Sequence, residues 1–421
     1  MKLIHSPHIH LLRSNHNMLW AFIGMLISRL GDGIYSVAII ATAYSITKSG
    51  SGTGIVLASF AISSFIFGSI SGVFSDKTNR KFLLVVSSFV CGCIIVFMAL
   101  LSFWGHLELI SLSVLSFILG AATQFFEPTV NAMIPMFVKK EELTTANGAI
   151  GMTDSIGYLI GPALGGVLLT VMRIEFVLLL NACSFFVAVL AGLFLKIPAN
   201  QNQLRGATNL FQDAIEGFSY VGRNKYVLKL FLISSLSLLA YSPFFVLLPV
   251  YLDKEILLSS DQQSALIGFI YSALALGQFV GYWIVSYLKM KTYQYFMLSS
   301  FIQAVGFGSL AILHRDYLII ICIFIAGISF GISGSAFNTA LQSKTPNNLL
   351  GRVYGVNYTI SGVITPLGRS VSGFMSDVFG SRLIFVMMGG VFLSSSILAR
   401  TLKRTKQDGN KNHAHNNDVN V

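Results

Sequence analysis

Twelve long apolar runs dominate the chain, separated by short polar segments. They fall at residues 18–46, 53–75, 82–104, 108–137, 144–171, 175–196, 227–251, 264–288, 293–313, 317–343, 353–378 and 382–402. Each reaches the roughly 20 residues that a helix needs to cross the hydrocarbon layer of a bilayer. The runs are too long for strands and lack alternation, which excludes a transmembrane barrel. The pattern predicts an all-α polytopic membrane protein with twelve transmembrane helices.

The connections divide the chain. The longest internal one is polar, with Asn200, Gln201, Asn202 and Gln203. It predicts a six-helix bundle over residues 1–196, a cytoplasmic connecting loop over 197–226 and a second six-helix bundle over 227–402. The remaining tail, 403–421, is rich in Lys, Asn and His and is expected to be disordered. The halves are related. Asn131–Gly148 aligns without gaps with Asn338–Gly355, and Gly120 and Gly327 keep the same spacing. In both copies the stretch joins a fourth span to a fifth. Related halves are the build of many secondary transporters, which hold substrate near the midplane.

Composition supports lipid as the solvent. Of 421 residues, 54% are hydrophobic and 11% charged, against about 25% charged in soluble domains. The net charge of +11 would suggest nucleic acid in a soluble protein. Its distribution gives another cause. With the N-terminus inside, 21 Lys and Arg fall on inner segments and 5 on outer ones, leaving Arg29 and Arg369 within spans. That bias predicts an even number of spans with both termini cytoplasmic, and accounts for the charge without a nucleic-acid partner; the expected location is a bacterial-type cell membrane. Cys91, Cys93, Cys183 and Cys322 all lie in apolar runs and read as small apolar fillers. His5, His8, His10 and His16 read as solvated or headgroup-facing, so no metal site is expected. The first apolar run is too long for the core of a cleavable signal. A phosphate-binding loop is missing, so ATP is not the expected energy source and no cofactor is expected. No catalytic or metal-ligand set stands at usable spacing, so the chain is not expected to be an enzyme.

Ionisable residues at membrane depth are the candidate chemistry. Asp or Arg at the centre of a span costs about 2.5–3.5 kcal/mol, so such placement is seldom idle. Arg29 and Asp32 share a face of span one, Glu127 lies in span four and Arg369 near the middle of span eleven. Carboxyl groups withdrawn from water bind protons more readily, so they can load and lose one near neutrality. Asp32 is therefore the expected coupling carboxylate and Glu127 a second proton or cation site. A purely structural Arg29–Asp32 pair is the alternative. Arg369 is expected to meet an anionic substrate group or balance a carboxylate. Asp154, near the inner end of span five, is expected to meet water. Phe125, Phe126, Tyr241, Phe244 and Phe245 are candidates for an apolar pocket.

Two motifs carry a resemblance. Gly72-Val-Phe-Ser-Asp76-Lys77-Thr-Asn-Arg80-Lys81 joins spans two and three, and Gly157-Tyr-Leu-Ile-Gly161-Pro162-Ala-Leu-Gly165-Gly166 lies in span five. With twelve spans, they resemble the loop and antiporter signatures of the major facilitator superfamily. Ser28-Arg-Leu-Gly-Asp32, Phe126-Glu-Pro128 and Gly351-Arg352-Val353 resemble its drug-exporting branch, which includes macrolide-efflux and siderophore-export proteins. The resemblance implies a gating loop of Gly72, Asp76, Lys77, Arg80 and Lys81, in which Asp76 engages Arg80 and a facing helix end. It implies that Gly157, Gly161, Pro162, Gly165 and Gly166 limit leak and shape switching. The second half departs from the pattern. Val285 stands where an acidic residue is expected, which implies one-sided gating. At the span-eleven counterpart of the antiporter signature, only Gly362, Pro366 and Gly368 remain. The expected function is proton-driven export of an amphipathic, drug-like small molecule by alternating access, from a monomer. Export of a siderophore or lipid is the rival. A non-transporting scaffold or sensor is disfavoured by the intact signatures.

Overall fold

The computed structural model describes residues 6–47, 50–197, 210–252, 260–313 and 315–403. Apart from Lys403, the predicted tail lies outside the described residues, as do His5 and residues 198–209 of the connecting loop. The helices are α1 (Pro7–Ser14), α2 (His16–Thr47), α3 (Gly50–Lys77), α4 (Arg80–Phe103), α5 (Leu109–Phe137), α6 (Leu143–Val171), α7 (Ile174–Phe194) and α8 (Leu210–Arg223). They continue as α9 (Lys225–Tyr241), α10 (Phe244–Tyr251), α11 (Ser260–Ile284), α12 (Thr292–Gly308), α13 (Asp316–Lys344), α14 (Leu350–Phe379) and α15 (Ser381–Ala399). No strand occurs among the described residues.

Among the described residues, ten helical segments are long and apolar enough to cross a membrane. α12 is only 17 residues long before a 3-10 turn at Ser309–Ala311 extends it. α14 spans 30 residues but carries Arg352 and Arg369. With these two, the segments correspond to the twelve apolar runs. The seventh run is broken. Pro243 lacks an N–H and crowds the preceding turn, and α9 gives way to α10 across Ser242-Pro243.

Two helices were not expected. α1 begins with Pro7, whose missing N–H costs nothing in a first turn. It carries His8 into a buried place, where Nδ1 lies 3.0 Å from the Thr145 carbonyl. The expectation of a solvated or headgroup-facing His8 is thus corrected. Asn15 Nδ2 donates to the Phe137 carbonyl at 2.6 Å, and Asn17 exchanges two bonds with the Lys196 backbone. These side chains serve carbonyls near helix C-termini, which have no intrahelical donor. The second unexpected helix, α8, occupies the later part of the predicted connecting loop.

The repeat extends to the helices. Moved by the spacing between Asn131 and Asn338, α5 takes the bounds of α13, and α6 those of α14 to within a residue. α4 packs on α5 and α7, and α3 on α5; correspondingly, α12 packs on α13 and α15, and α11 on α13. Contacts divide the chain into two compact units, Met1–Phe218 with Thr345–Gly362, and Ser219–Lys344 with Val363–Val421. The first half of α14 therefore packs in one unit, and its second half belongs to the other.

Glycine faces set the closest crossings. Helices in lipid gain association from close backbone approach, which small residues permit. In the first unit a methyl group on Gly161 would lie 2.6 Å from Gly33 Cα, and one on Gly157 2.7 Å from the Arg29 carbonyl oxygen. A methyl on Gly166 would meet nothing within 4 Å. In the second unit Gly277 and Gly281 of α11 face Gly327 and Gly331 of α13 in the same manner. Gly161→Ala should therefore cost about 1–3 kcal/mol through overpacking, while Gly166→Ala should be near neutral. Thermal unfolding of the purified protein in detergent checks this; equal shifts for the two variants would refute the packing argument.

Candidate functional site

The predicted charges of the first unit converge on one guanidinium. Arg29 and Asp32 stand one turn apart on α2, with Nη1 3.7 Å from Asp32 Oδ2. Arg29 Nη2 pairs with Glu127 Oε1 of α5, and Nε lies 2.6 Å from Asp154 Oδ1 of α6. Asp154 is thus an ion-pair partner, a role its expected water exposure did not suggest. Gly157, one turn beyond it, lets α6 approach the Arg29 backbone. Two residues missed in the sequence complete the group. Tyr358 donates its hydroxyl to Glu127 Oε2 at 3.3 Å and accepts from Asn131 Nδ2 at 2.9 Å. Asn131 opens the repeated stretch, which was a signal; Tyr358 sits unmarked in an apolar run.

One cation thus faces three carboxyl groups. The ties differ. Glu127 is held by Arg29 and Tyr358, whereas Asp32 makes the longest of the three Arg29 contacts. Asp32 is also the most open, its side chain 38% exposed against 26% for Glu127 and 34% for Asp154. All four charged residues line a cavity of about 470 Å³ within the first unit. Phe60, Phe126 and Phe185 contribute to its apolar wall. The arrangement can accept a cation or proton while giving apolar surface to the rest of a ligand.

Arg369 belongs to the second unit. Its guanidinium carbon stands 5.2 Å from the centroid of the Phe245 ring, a cation–π contact. Phe245 packs with Tyr241, Phe244 and Tyr271. Of the candidate aromatics, Phe126 thus lines the first-unit cavity, while Phe244 is fully buried in the second-unit core.

The predicted gating loop is tied at every charged position. Asp76, at the end of α3, accepts from the Gly351 and Arg352 backbone N–H groups, both at 2.8 Å. A carboxylate there meets the positive end of the α14 dipole. Arg80 Nη2 reaches Asp76 Oδ1 at 3.0 Å and the Asn347 carbonyl at 2.6 Å, while Nη1 reaches the Ala132 carbonyl at 2.7 Å. Asn79 caps α4 by accepting from the N–H groups of Lys81 and Phe82. Lys81 Nζ donates to the Leu193 and Leu195 carbonyls at the end of α7. A methyl on Gly72 would lie 3.0 Å from Gly355 Cα, so a glycine is what lets α3 meet α14 here. Lys77 pairs with Asp213 of α8, a residue that sequence reasoning passed over. Its signal was the recurrence of Asp213, Gly217 and Val221 at helical spacing.

Long helices suited to lipid, related halves and a charged cavity at membrane depth define a polytopic transporter. Residues 21–369 match the Major Facilitator Superfamily, and the chain belongs to that family. Macrolide efflux protein A of Streptococcus pyogenes is 22% identical over 399 residues, covering 92% of this chain and 96% of that protein. Enterobactin exporter EntS of Escherichia coli is 23% identical over 398 residues, covering 90% and 94%. Among solved structures, the human organic anion transporter MFSD10 (TETRAN) superposes with a TM-score of 0.77 at 15% identity, covering 91% of this chain and 99% of that one. A bacterial homologue of the iron transporter ferroportin gives 0.70 at 18% identity, covering 93% and 99%. These structures share the fold. Family membership points to a multi-pass membrane transporter rather than an enzyme.

Proposed function

We propose that the protein exports an amphipathic, drug-like molecule in exchange for protons, by alternating access between bundles of residues 1–196 and 227–402. The observation that carries this reading is the grouping of Asp32, Glu127 and Asp154 around Arg29 on an apolar-walled cavity. Asp32 is the coupling carboxylate, since it is the most open and has the longest Arg29 contact. Glu127 is the second proton or cation site. The names of the efflux relatives support export. Gly72, Asp76, Lys77, Arg80 and Lys81 form the gate, and Gly157, Gly161, Pro162, Gly165 and Gly166 the helix that limits leak. Arg369 serves a substrate group in the other half. The working form is a monomer in the cytoplasmic membrane, with both termini inside.

The energetics define the pump. An inward proton releases about 2.3 kcal/mol per 100 mV and about 1.4 kcal/mol per pH unit. The sum of about 3.7 kcal/mol supports a gradient of several hundredfold for a neutral substrate. For a monocation exchanged one for one, the voltage term cancels, and about tenfold per pH unit remains.

Ethidium efflux from energised cells tests the reading. Efflux is expected to slow when the pH gradient alone is collapsed and to persist when only the voltage is removed. Efflux indifferent to the pH gradient would end the proton assignment. If the correctly inserted protein moves no dye, siderophores and lipids become the substrates to test.

A further inference from the structure

Helix α8 is bound to the first unit by charge. Its buried face presents Asp213, Gly217 and Val221, one turn apart in sequence. Asp213 is only 5% exposed, although it lies on a short amphipathic helix between the two halves of the chain. A buried carboxylate is tolerated when paired, and Asp213 is paired twice. Oδ2 meets Lys77 Nζ of α3, and Oδ1 lies 2.9 Å from Arg352 Nη2 of α14. Glu216 takes the other terminal nitrogen of Arg352. Beneath them Gly217 lies flat on α14. A methyl there would stand 3.2 Å from Arg352 Cβ and 3.3 Å from Val356 Cγ2. Arg352 is therefore gripped from two sides, its backbone N–H by Asp76 and its side chain by α8.

This arrangement joins three segments remote in sequence. The signature loop, the middle of the chain and the start of α14 share one carboxylate. α14 itself runs on beyond Gly362, to Phe379. We propose that α8 is a clasp, in which Asp213 bridges Lys77 to Arg352 and keeps the start of α14 on the first unit. Opening this clasp frees that end of α14 during the transport cycle. The middle segment thus regulates the change of state as well as linking the halves. The proposal holds whatever molecule is carried and whatever drives it.

Val356 is 1% exposed under Gly217, so a thiol there reports whether α8 is seated. The test uses the full chain in nanodiscs with Val356→Cys and with Cys93, Cys183 and Cys322 changed to serine. Cys91, 1% exposed in the first-unit core, is retained as the monitor of folding. Labelling of position 356 by N-ethylmaleimide should be slow in this background. It should accelerate about tenfold with Asp213→Asn and about threefold with Lys77→Met, because Arg352 still holds Asp213 in the latter. The double variant should match Asp213→Asn alone, since partners in one interaction are not additive. Cys91 should stay unlabelled throughout. Unchanged labelling with Asp213→Asn would overturn the clasp. Multiplying effects in the double variant would show that Lys77 and Asp213 act separately, and would overturn it equally. If Asp213→Asn exposes Cys91 through misfolding, Lys77→Met carries the test, and unchanged labelling in it refutes the bridge.

Discussion

Replacing Arg29 with methionine should destabilise the first unit by about 3 kcal/mol, the lower end for breaking a buried ion pair. The lower end applies because the cavity leaves the four side chains partly exposed. The substitution keeps the length and apolar stem of the side chain but leaves Asp32, Glu127 and Asp154 facing one another without a cation. Their mutual repulsion then acts across helices α2, α5 and α6, of which α2 and α6 meet closely at Gly157 and Gly161. Arg29→Lys should fall between the two. A single ammonium keeps the charge but lacks the planar fork that serves several carboxylates at once. Thermal unfolding in detergent is the measurement, with membrane yield as support. An unfolding temperature for Arg29→Met equal to that of the parent protein would show that the cluster has no role in holding these helices together.

Asp32→Asn should abolish uphill export while leaving fold and yield unchanged. Asparagine retains the size of the side chain but cannot carry a proton through the cycle. The gradient attainable for a neutral substrate should fall from several hundredfold to about onefold, because about 3.7 kcal/mol of proton driving force is no longer coupled. Exchange of substrate between two sides already loaded should persist, since it needs no net proton movement. Glu127→Gln should differ. Glu127 joins Arg29 to Tyr358, so its amide should lower stability along with transport. Proteoliposomes with an imposed pH gradient separate these cases by comparing accumulation with exchange. Normal accumulation by Asp32→Asn would remove Asp32 from the coupling step.

The apolar runs announced the long helices, because a span must be apolar over a fixed length and residues 108–137 or 317–343 admit no other reading. Arg29, Asp32 and Glu127 were also legible, since charge at membrane depth stands out against its surroundings. Their convergence was less so. The sequence puts Asp154 near the inner end of its apolar run, yet it stands about 16 Å into α6 at 1.5 Å per residue. That is deep enough to meet Arg29. Tyr358 had no local mark, because a tyrosine in an apolar run reads as core until its hydroxyl partner is known. Polar composition hid α8, whose helical character lies in the spacing of a few buried positions. The break in span seven, by contrast, was written in Ser242-Pro243. The meeting of Gly72 with Gly355 depends on tertiary contact, and neither glycine names its partner.

The division of α14 between units bears on how the protein is made. A chain synthesised from its N-terminus exposes Gly68, Gly72 and Asp76 long before Gly351 and Gly355 exist to cover them. At about 5–20 residues per second, the interval is roughly 15–55 seconds. From about residue 194 onward the nascent first half has every one of its own spans but still lacks the segment that completes its contacts. A chain that ends before residue 350 never gains the partners that Gly351, Arg352 and Gly355 give to Gly72 and Asp76.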